Sequence, residues 1–305
     1  MIETSIWKEI EAFAAGGAFS YGEPLRNHTT FKVGGDAKVL VEPESVEEIK
    51  QVIDFAKENN IAYYVIGKGS NLLVSDDGFH GLVISIGSGM ACITVEGTRI
   101  TAQAGALLST VAQTAAKHSL TGMEFASGIP GSIGGAIVMN AGAYDGEMKM
   151  IVETVTMLTE EGDIRSFGCE EMEFGYRTSR LKREKGIVLS VTLLLVQGDV
   201  TAIQNKMKDF AGRRREKQPL EYPSAGSTFK RPEGMFAGKL IMDAGLRGYS
   251  VGGAQVSEKH CGFVINKGGA TALDVYTLIR DVQKKVEEEF GVVLEPEVIL
   301  VGDFG

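Results

Sequence analysis

The chain has 305 residues, enough for two or three domains, with 44% hydrophobic and 23% charged residues. That is the composition of an ordinary soluble globular protein, and a formal net charge of −9 speaks against a nucleic-acid binder. No apolar run approaches the ~18 residues that cross a bilayer, so no membrane segment is expected.

The N-terminus, MIETSIWKEIEAFAAGG, lacks a basic region followed by an apolar core; it reads as a short amphipathic helix and not as a secretory signal. Ser45 and Glu48 form a capping box, and Val46, Ile49, Val52 and Ile53 give a helix to about Asn59. IAYYVI (61–66) is a strand that runs into GKGSNLLVSDDG (67–78), a Gly-rich turn. This turn is neither a P-loop nor a Rossmann turn, since Lys68 precedes the second glycine and Leu72 stands where a third is needed. Residues 82–86, 92–97 and 99–105 read as strands, and Leu107 to His118 as a helix.

The stretch Gly122–Gly146 carries seven glycines in 25 residues. The glycines alternate with Ile129, Ile133, Ile137, Val138 and Met139, which are expected to be buried, so a polar linker is excluded. A buried Gly-rich loop brings backbone N–H groups close to a partner, and phosphate is the usual guest. A tightly packed turn without a ligand is the other reading. Residues 151–167 look like a hairpin turning near Glu161-Gly162-Asp163, and 186–199 like a strand buried on both faces. Residues 1–200 thus read as α+β with two lobes, about 1–87 and 88–200.

A polar helix over 200–217 leads into a last domain, 201–305. A Pro/Gly/Ser-rich loop (218–234), a helix-like 239–245 and strands at 252–257 and 262–266 follow. Thr271 opens the longest helix, to about Phe290, with Val275, Leu278, Ile279, Val282 and Val286 on one face. Residues 292–302 read as a closing strand. Charge is uneven: residues 206–267 hold 12 basic and 6 acidic side chains, which suits a small anionic ligand. The bland alternative is that Arg213, Arg214, Arg215 and Lys217 are a solvated helix end. Three distant cysteines, Cys92, Cys169 and Cys261, argue for reduced thiols in a cytoplasm. The four histidines show no ligand spacing, so no metal site is expected.

Five motifs in order carry a resemblance: GKGSNLLVSD (67–76), SGIPGSIGGAIVMNAGAY (127–144), FGYR (174–177), AGSTFK (225–230) and LEPEV (294–298). Together they resemble the UDP-N-acetylenolpyruvoylglucosamine reductase family, flavoenzymes of bacterial peptidoglycan precursor synthesis. The short connection between Asn140 and Tyr176 looks like the family's shorter, second subtype, without the tyrosine-bearing loop of the longer one. The resemblance implies a two-lobed FAD-binding domain of the vanillyl-alcohol-oxidase type plus a smaller C-terminal α+β substrate-binding domain. It implies non-covalent FAD, because no histidine sits beside Gly67, and NADPH as co-substrate. Gly67, Lys68, Gly69, Ser70, Asn71 and Leu72, with Gly128, Ile129, Pro130, Gly131, Ser132, Gly134 and Gly135, are the implied cofactor residues, whose loops can offer N–H groups to the FAD pyrophosphate.

The implied reaction reduces an enolpyruvyl double bond to give UDP-N-acetylmuramate. Arg177 and Glu297 match the family's pair that polarises the substrate carboxylate, and Ser227 its proton donor. Tyr176, Lys230, Arg231, Gln255, Lys259 and His260 are implied at the nucleotide-sugar, although asparagine stands at Arg231 in many members. The residues alone leave blander readings open: Arg177 as a surface arginine, Ser227 as part of a Pro-Ser-Ala-Gly-Ser turn, and Glu297 on the half-exposed face of a strand. An oxidase of the same flavin fold and a nucleotide-binding module without chemistry are the rival functions. Nucleic acid and membrane are not expected as partners, and a cytoplasmic location is.

Overall fold

The computed structural model describes Trp7, Ile10 and residues 18–305. The helix expected at the N-terminus lies outside the described residues, apart from Trp7 and Ile10, whose side chains are buried. Apolar side chains gather into two separate cores, one in each of two compact units.

The first unit comprises Met1–Ser20, Val39–Lys68 and Gly81–Arg213. Ser45 Oγ accepts the Glu48 amide at 3.2 Å and starts the helix Val46–Glu58. The expected box is only half closed, because the Glu48 carboxylate accepts from the Glu44 amide at 2.8 Å and not from that of Ser45. Ile49, Val52, Ile53 and Ala56 form the buried face. The strand Tyr63–Ile66 pairs in parallel with Phe79–Ser85, Tyr63 opposite Leu82. After the short turn Ser88–Met90 comes an antiparallel sheet in the order Ile164–Gly168, Val152–Thr159, Gly186–Leu194, Arg99–Gln103, Ile93–Glu96. Val155 faces Val191, which faces Ala102, and all three are buried. The hairpin turns at Gly162, with φ +89°, as expected.

Gly186–Leu194 is not buried on both faces throughout: Ile187, Val188 and Leu189 are buried in a row, then Ser190 and Thr192 are half-exposed between buried Val191 and Leu193. The hydroxyls explain it, since Thr192 Oγ1 meets Thr101 Oγ1 at 3.1 Å across the strands.

The second unit comprises Tyr21–Lys38, Gly69–His80 and Arg214–Gly305. The contiguous division at residue 200 is therefore not how the structure partitions; two early segments join the last one. Leu72–Val74 pairs in parallel with Ile299–Val301, Leu72 opposite Ile299. The Asp76 carboxylate accepts the amides of Ala272 and Leu273 at 2.8 and 2.9 Å, at the start of Ala272–Phe290. Asn266 Nδ2 donates to the Phe31 carbonyl at 3.1 Å. None of these partners is near in sequence, so composition could not show them.

Ala272–Phe290 opens at Thr271 as expected, with a full capping box in which Asp274 is the reciprocal partner, and ends on Gly291 at φ +66°. Its five expected core residues are buried. The closing strand is shorter than expected, Ile299–Val301, with one isolated bridge at Pro296. Pro296 lacks an N–H and interrupts a continuous ladder.

Candidate active site

Within the first unit, Gly67 at the start of one Gly-rich turn approaches the other Gly-rich turn at Ser132. Gly67 follows the strand Tyr63–Ile66, and a Cβ there would strike Ser132 Oγ, which is itself buried. Gly69, at φ +56°, belongs to the second unit, where a Cβ would strike the His28 carbonyl oxygen. Asn71 and Leu72 lie at the head of the strand that pairs with Ile299–Val301. Asn71 Nδ2 donates to the Glu297 carbonyl at 2.9 Å.

Residues 133–138 form a helix, missed from the sequence because Gly134 and Gly135 sit inside it. Gly134 has to be glycine: a Cβ would lie 2.9 Å from Ala104 Cβ. The amides of Ile133 and Gly134 donate to the Ala106 and Ala104 carbonyls at 2.8 and 2.9 Å, and that of Ile129 to Ala126 at 3.1 Å. Those three amides are engaged and Pro130 has none, which leaves Gly128, Gly131, Ser132 and Gly135 as the candidate phosphate-binding amides of this loop. Gly131, at φ +157°, gives the bend that presents them. Ile133 and Ile137 are buried as expected, while Ile129, Val138 and Met139 are half-buried. A narrow backbone cradle on a rigid base, with Gly67 against it, fits a dinucleotide pyrophosphate.

Tyr176 and Arg177 are the two residues of a tight turn. Gly175 and Thr178 close it with reciprocal amide–carbonyl bonds of 3.1 and 3.3 Å. Arg177 holds φ +54°, a region that residues with a Cβ seldom occupy and that gathers at functional sites. Its guanidinium donates to the Gly142 carbonyl at 3.3 Å and lies 5.2 Å from the centre of the Tyr176 ring. Tyr176 is 53% exposed, which leaves that ring able to meet a ligand.

In the second unit, Ser227 and Glu297 come from adjacent backbones. The segment 227–230 runs antiparallel to 295–297, with Phe229 opposite Pro296. The Glu297 amide donates to the Thr228 carbonyl at 2.8 Å, and the Lys230 amide to the Glu295 carbonyl at 2.8 Å. Thr228 anchors the pair: it is fully buried, its amide donates to the Gly262 carbonyl and its hydroxyl accepts the Val264 amide, both at 2.9 Å. Ser227, one residue earlier, is exposed, and Gly226 before it turns at φ +76°.

The five remaining polar candidates also lie in the second unit. Lys230 Nζ meets Glu295 Oε1 at 2.6 Å. Lys259 Nζ donates to the Arg215 carbonyl at 2.7 Å and lies 3.8 Å from Glu221. Arg231 lies 4.7 Å over the Phe236 ring. Gln255 Nε2 donates to the Gly248 carbonyl, and its Oε1 accepts from Lys267 Nζ. Burial lowers the His260 pKa, and its Nδ1 accepts the Gly262 amide at 3.1 Å. Both favour the neutral imidazole over the cation at His260. Among the described residues no group of three or more His, Cys, Asp or Glu side chains could hold a metal ion, and no helix is long and apolar enough to cross a membrane.

An α+β unit with a Gly-rich turn packed on Gly67, and a second unit that presents serine, carboxylate and lysines, fit the class of FAD-type oxidoreductases. An FAD-binding domain model matches residues 37–168, and the model of the UDP-N-acetylenolpyruvoylglucosamine reductase C-terminal domain matches 218–301. The chain is similar to the UDP-N-acetylenolpyruvoylglucosamine reductase of Caldanaerobacter subterraneus, 52% identical over 94% of this chain and 95% of that one. The enzyme of that name from Agathobacter rectalis is 54% identical over 92% and 93%. A crystal structure of the Thermus caldophilus reductase superposes with a TM-score of 0.81, at 37% identity over 94% of this chain and 99% of that one. The chain belongs to the UDP-N-acetylenolpyruvoylglucosamine reductase family, oxidoreductases of peptidoglycan precursor synthesis.

Proposed function

We propose that the protein is the NADPH-dependent reductase of the enolpyruvyl group of UDP-N-acetylglucosamine enolpyruvate, working in the cytoplasm. The observation that carries this reading is the adjacency of an exposed serine, Ser227, and the segment carrying Glu297, whose amide donates to the carbonyl of the buried Thr228. When bound, FAD supplies hydride acceptance from NADPH and hydride delivery to the double bond. The chain's own residues handle the charge and the proton. Hydride addition leaves negative charge on the carbon next to the substrate carboxylate. Arg177 and Glu297 polarise that carboxylate as the enolate forms, Arg177 by its charge and Glu297 as the protonated acid, the only form that can donate to a carboxylate. Ser227 Oγ holds the proton that quenches it. A serine hydroxyl is a weak acid, so it serves only an acceptor as basic as an enolate carbon.

Lys230, Lys259 and Arg231 are read as ligands of the nucleotide diphosphate, with Tyr176, Gln255 and neutral His260 supplying ring contact and hydrogen bonds. The present lysine partners do not oppose this. Exposed ion pairs such as Lys230–Glu295 contribute at most about 1 kcal/mol, and a diphosphate replaces them. Gly67, Lys68, Gly69, Ser70, Asn71, Leu72 and the loop 128–135 are read as the FAD residues, with the flavin held non-covalently.

Single-turnover stopped-flow on Ser227→Ala tests the assignment. Flavin reduction by NADPH stays near the wild-type rate, because no enolate forms there. Reoxidation by the enolpyruvyl substrate slows by about 10²–10⁴-fold, the loss typical of a missing general acid. Reoxidation at nearly the wild-type rate would place the proton elsewhere.

A further inference from the structure

One buried amide side chain underlies the Arg177 turn and has no role in the reaction as described. Asn140 is fully buried and left-handed, with φ +41°. It follows the helix Ile133–Val138 by two residues, the place where asparagine can stand in for a helix-ending glycine. Its Nδ2 donates to the Gly175 carbonyl and to Glu147 Oε2, both at 3.0 Å. Its Oδ1 accepts the Lys149 amide at 2.9 Å. These partners fix the amide's orientation, since a flip would set its oxygen against two acceptors.

Gly175 is the base of the turn that carries Tyr176 and Arg177, and its carbonyl accepts from both Thr178 and Asn140. Ser179 fastens the far side, its hydroxyl donating to the Val138 carbonyl at 2.9 Å. Both fasteners tie the turn to the C-terminal end of the helix whose first residues follow the phosphate cradle. A guanidinium on a left-handed backbone holds its aim only if the turn beneath it cannot relax.

We propose that Asn140 is a positioning residue for Arg177: it locks the Gly175–Thr178 turn in the conformation that aims the guanidinium. The inference rests on the role assigned to Arg177 above. A purely structural amide would make a different prediction, because its loss would harm flavin retention and both half-reactions alike.

The test uses the flavin-loaded full chain carrying Asn140→Gly, Arg177→Ala, or both. Glycine tolerates φ +41°, so the first change removes the side chain without straining the backbone. Flavin content and melting temperature are read first, then each half-reaction in single turnover. Asn140→Gly is expected to keep its flavin and its rate of reduction by NADPH. Its reoxidation by the enolpyruvyl substrate slows about 100-fold, the scale of a displaced catalytic group. The double variant is expected to be no slower than Arg177→Ala alone, because both changes remove one function. Equal slowing of both half-reactions, or losses that multiply in the double variant, would overturn the proposal. If Arg177→Ala itself reoxidises normally, the role of Arg177 fails and the inference falls with it. Should Asn140→Gly not fold, Ser179→Ala carries the test: slower reoxidation with normal reduction supports the locked turn, and any other pattern contradicts it.

Discussion

The Arg177 turn and the Ser227–Glu297 pair solve the same problem by different means. Arg177 sits on a left-handed backbone in a two-residue turn held from below by side chains, the Asn140 amide and the Ser179 hydroxyl. Ser227 and Glu297 sit on extended segments held mainly by the main chain, with side-chain support from the buried Thr228 hydroxyl and from Asn71, which donates to the Glu297 carbonyl. Main-chain ladders tolerate substitution of neighbouring side chains, whereas a turn locked by side chains does not. The first arrangement aims one long cation; the second brings two backbone segments together, with Ser227 one residue before the Thr228 that pairs with Glu297.

The largest effect expected on this contrast comes from the functional groups themselves. Arg177→Lys and Glu297→Gln should each slow reoxidation by the enolpyruvyl substrate about 10²-fold or more, the scale of a lost charge stabiliser, and leave reduction by NADPH near normal. Stopped-flow of each half-reaction checks this. Equal damage to reduction would mean that these residues support the flavin and not the substrate. A lysine at 177 keeps the charge but loses the planar fork, so retention of full activity would show that position, not fork geometry, is what the turn provides.

Gly67→Ala probes the turn at the end of the strand Tyr63–Ile66. A Cβ there would strike Ser132 Oγ, so that buried hydroxyl has to turn away or a loop has to shift, and the purified protein should carry less flavin. The ratio of visible to ultraviolet absorbance reads this directly, and a full complement of flavin would contradict the assignment of the two turns to FAD.

Thr228→Val tests how the second unit holds its pair. The substitution leaves the buried Val264 amide without its acceptor, at a cost of about 1–3 kcal/mol. The unfolding midpoint of the second unit should fall while flavin stays bound. An unchanged midpoint would show that water replaces the hydroxyl.

The smallest effect is acid-dependent and belongs to Glu124. Burial pushes its pKa up, but hydrogen bonds from the Thr121 hydroxyl and its own and the Gly122 amides, with Lys206 3.9 Å away, hold it below the ordinary range. A carboxyl with a lowered folded pKa contributes stability above the ordinary carboxyl pKa, and that contribution disappears as pH falls through the folded value. The difference in melting temperature between wild type and Glu124→Gln should therefore be present at neutral pH and shrink as pH drops below about 4. A difference that does not change between pH 7 and pH 3 would remove Glu124 from the account.

Local signals were legible where residue type and geometry coincide. Thr271 announced a helix start, and five apolar residues at helical spacing announced its buried face. The helix Ile133–Val138 was hidden because two of its six residues are glycines, which favour turns; packing against Ala104 overrides that preference. The strand at 292–302 was over-read because alternation at Leu294, Pro296 and Val298 continues through a proline that breaks the ladder. The five motifs named the candidate functional residues, yet no sequence pattern could show that Arg177 is left-handed or that the Asn140 amide bonds the base of its turn. Those depend on backbone angles and on partners up to 35 residues away. Nor could the chain order show that residues 69–80 join the last hundred residues, since the pairing of Leu72 with Ile299 is non-local.

The visible spectrum of the purified protein tests the central claim most directly. Under anaerobic conditions a yellow protein is expected, with the flavin band bleached by NADPH and restored in one turnover by UDP-N-acetylglucosamine enolpyruvate. Acid precipitation should then release the flavin into the supernatant. A colourless protein that takes up no FAD, or a bleached flavin that oxygen restores and the enolpyruvyl substrate does not, would contradict it.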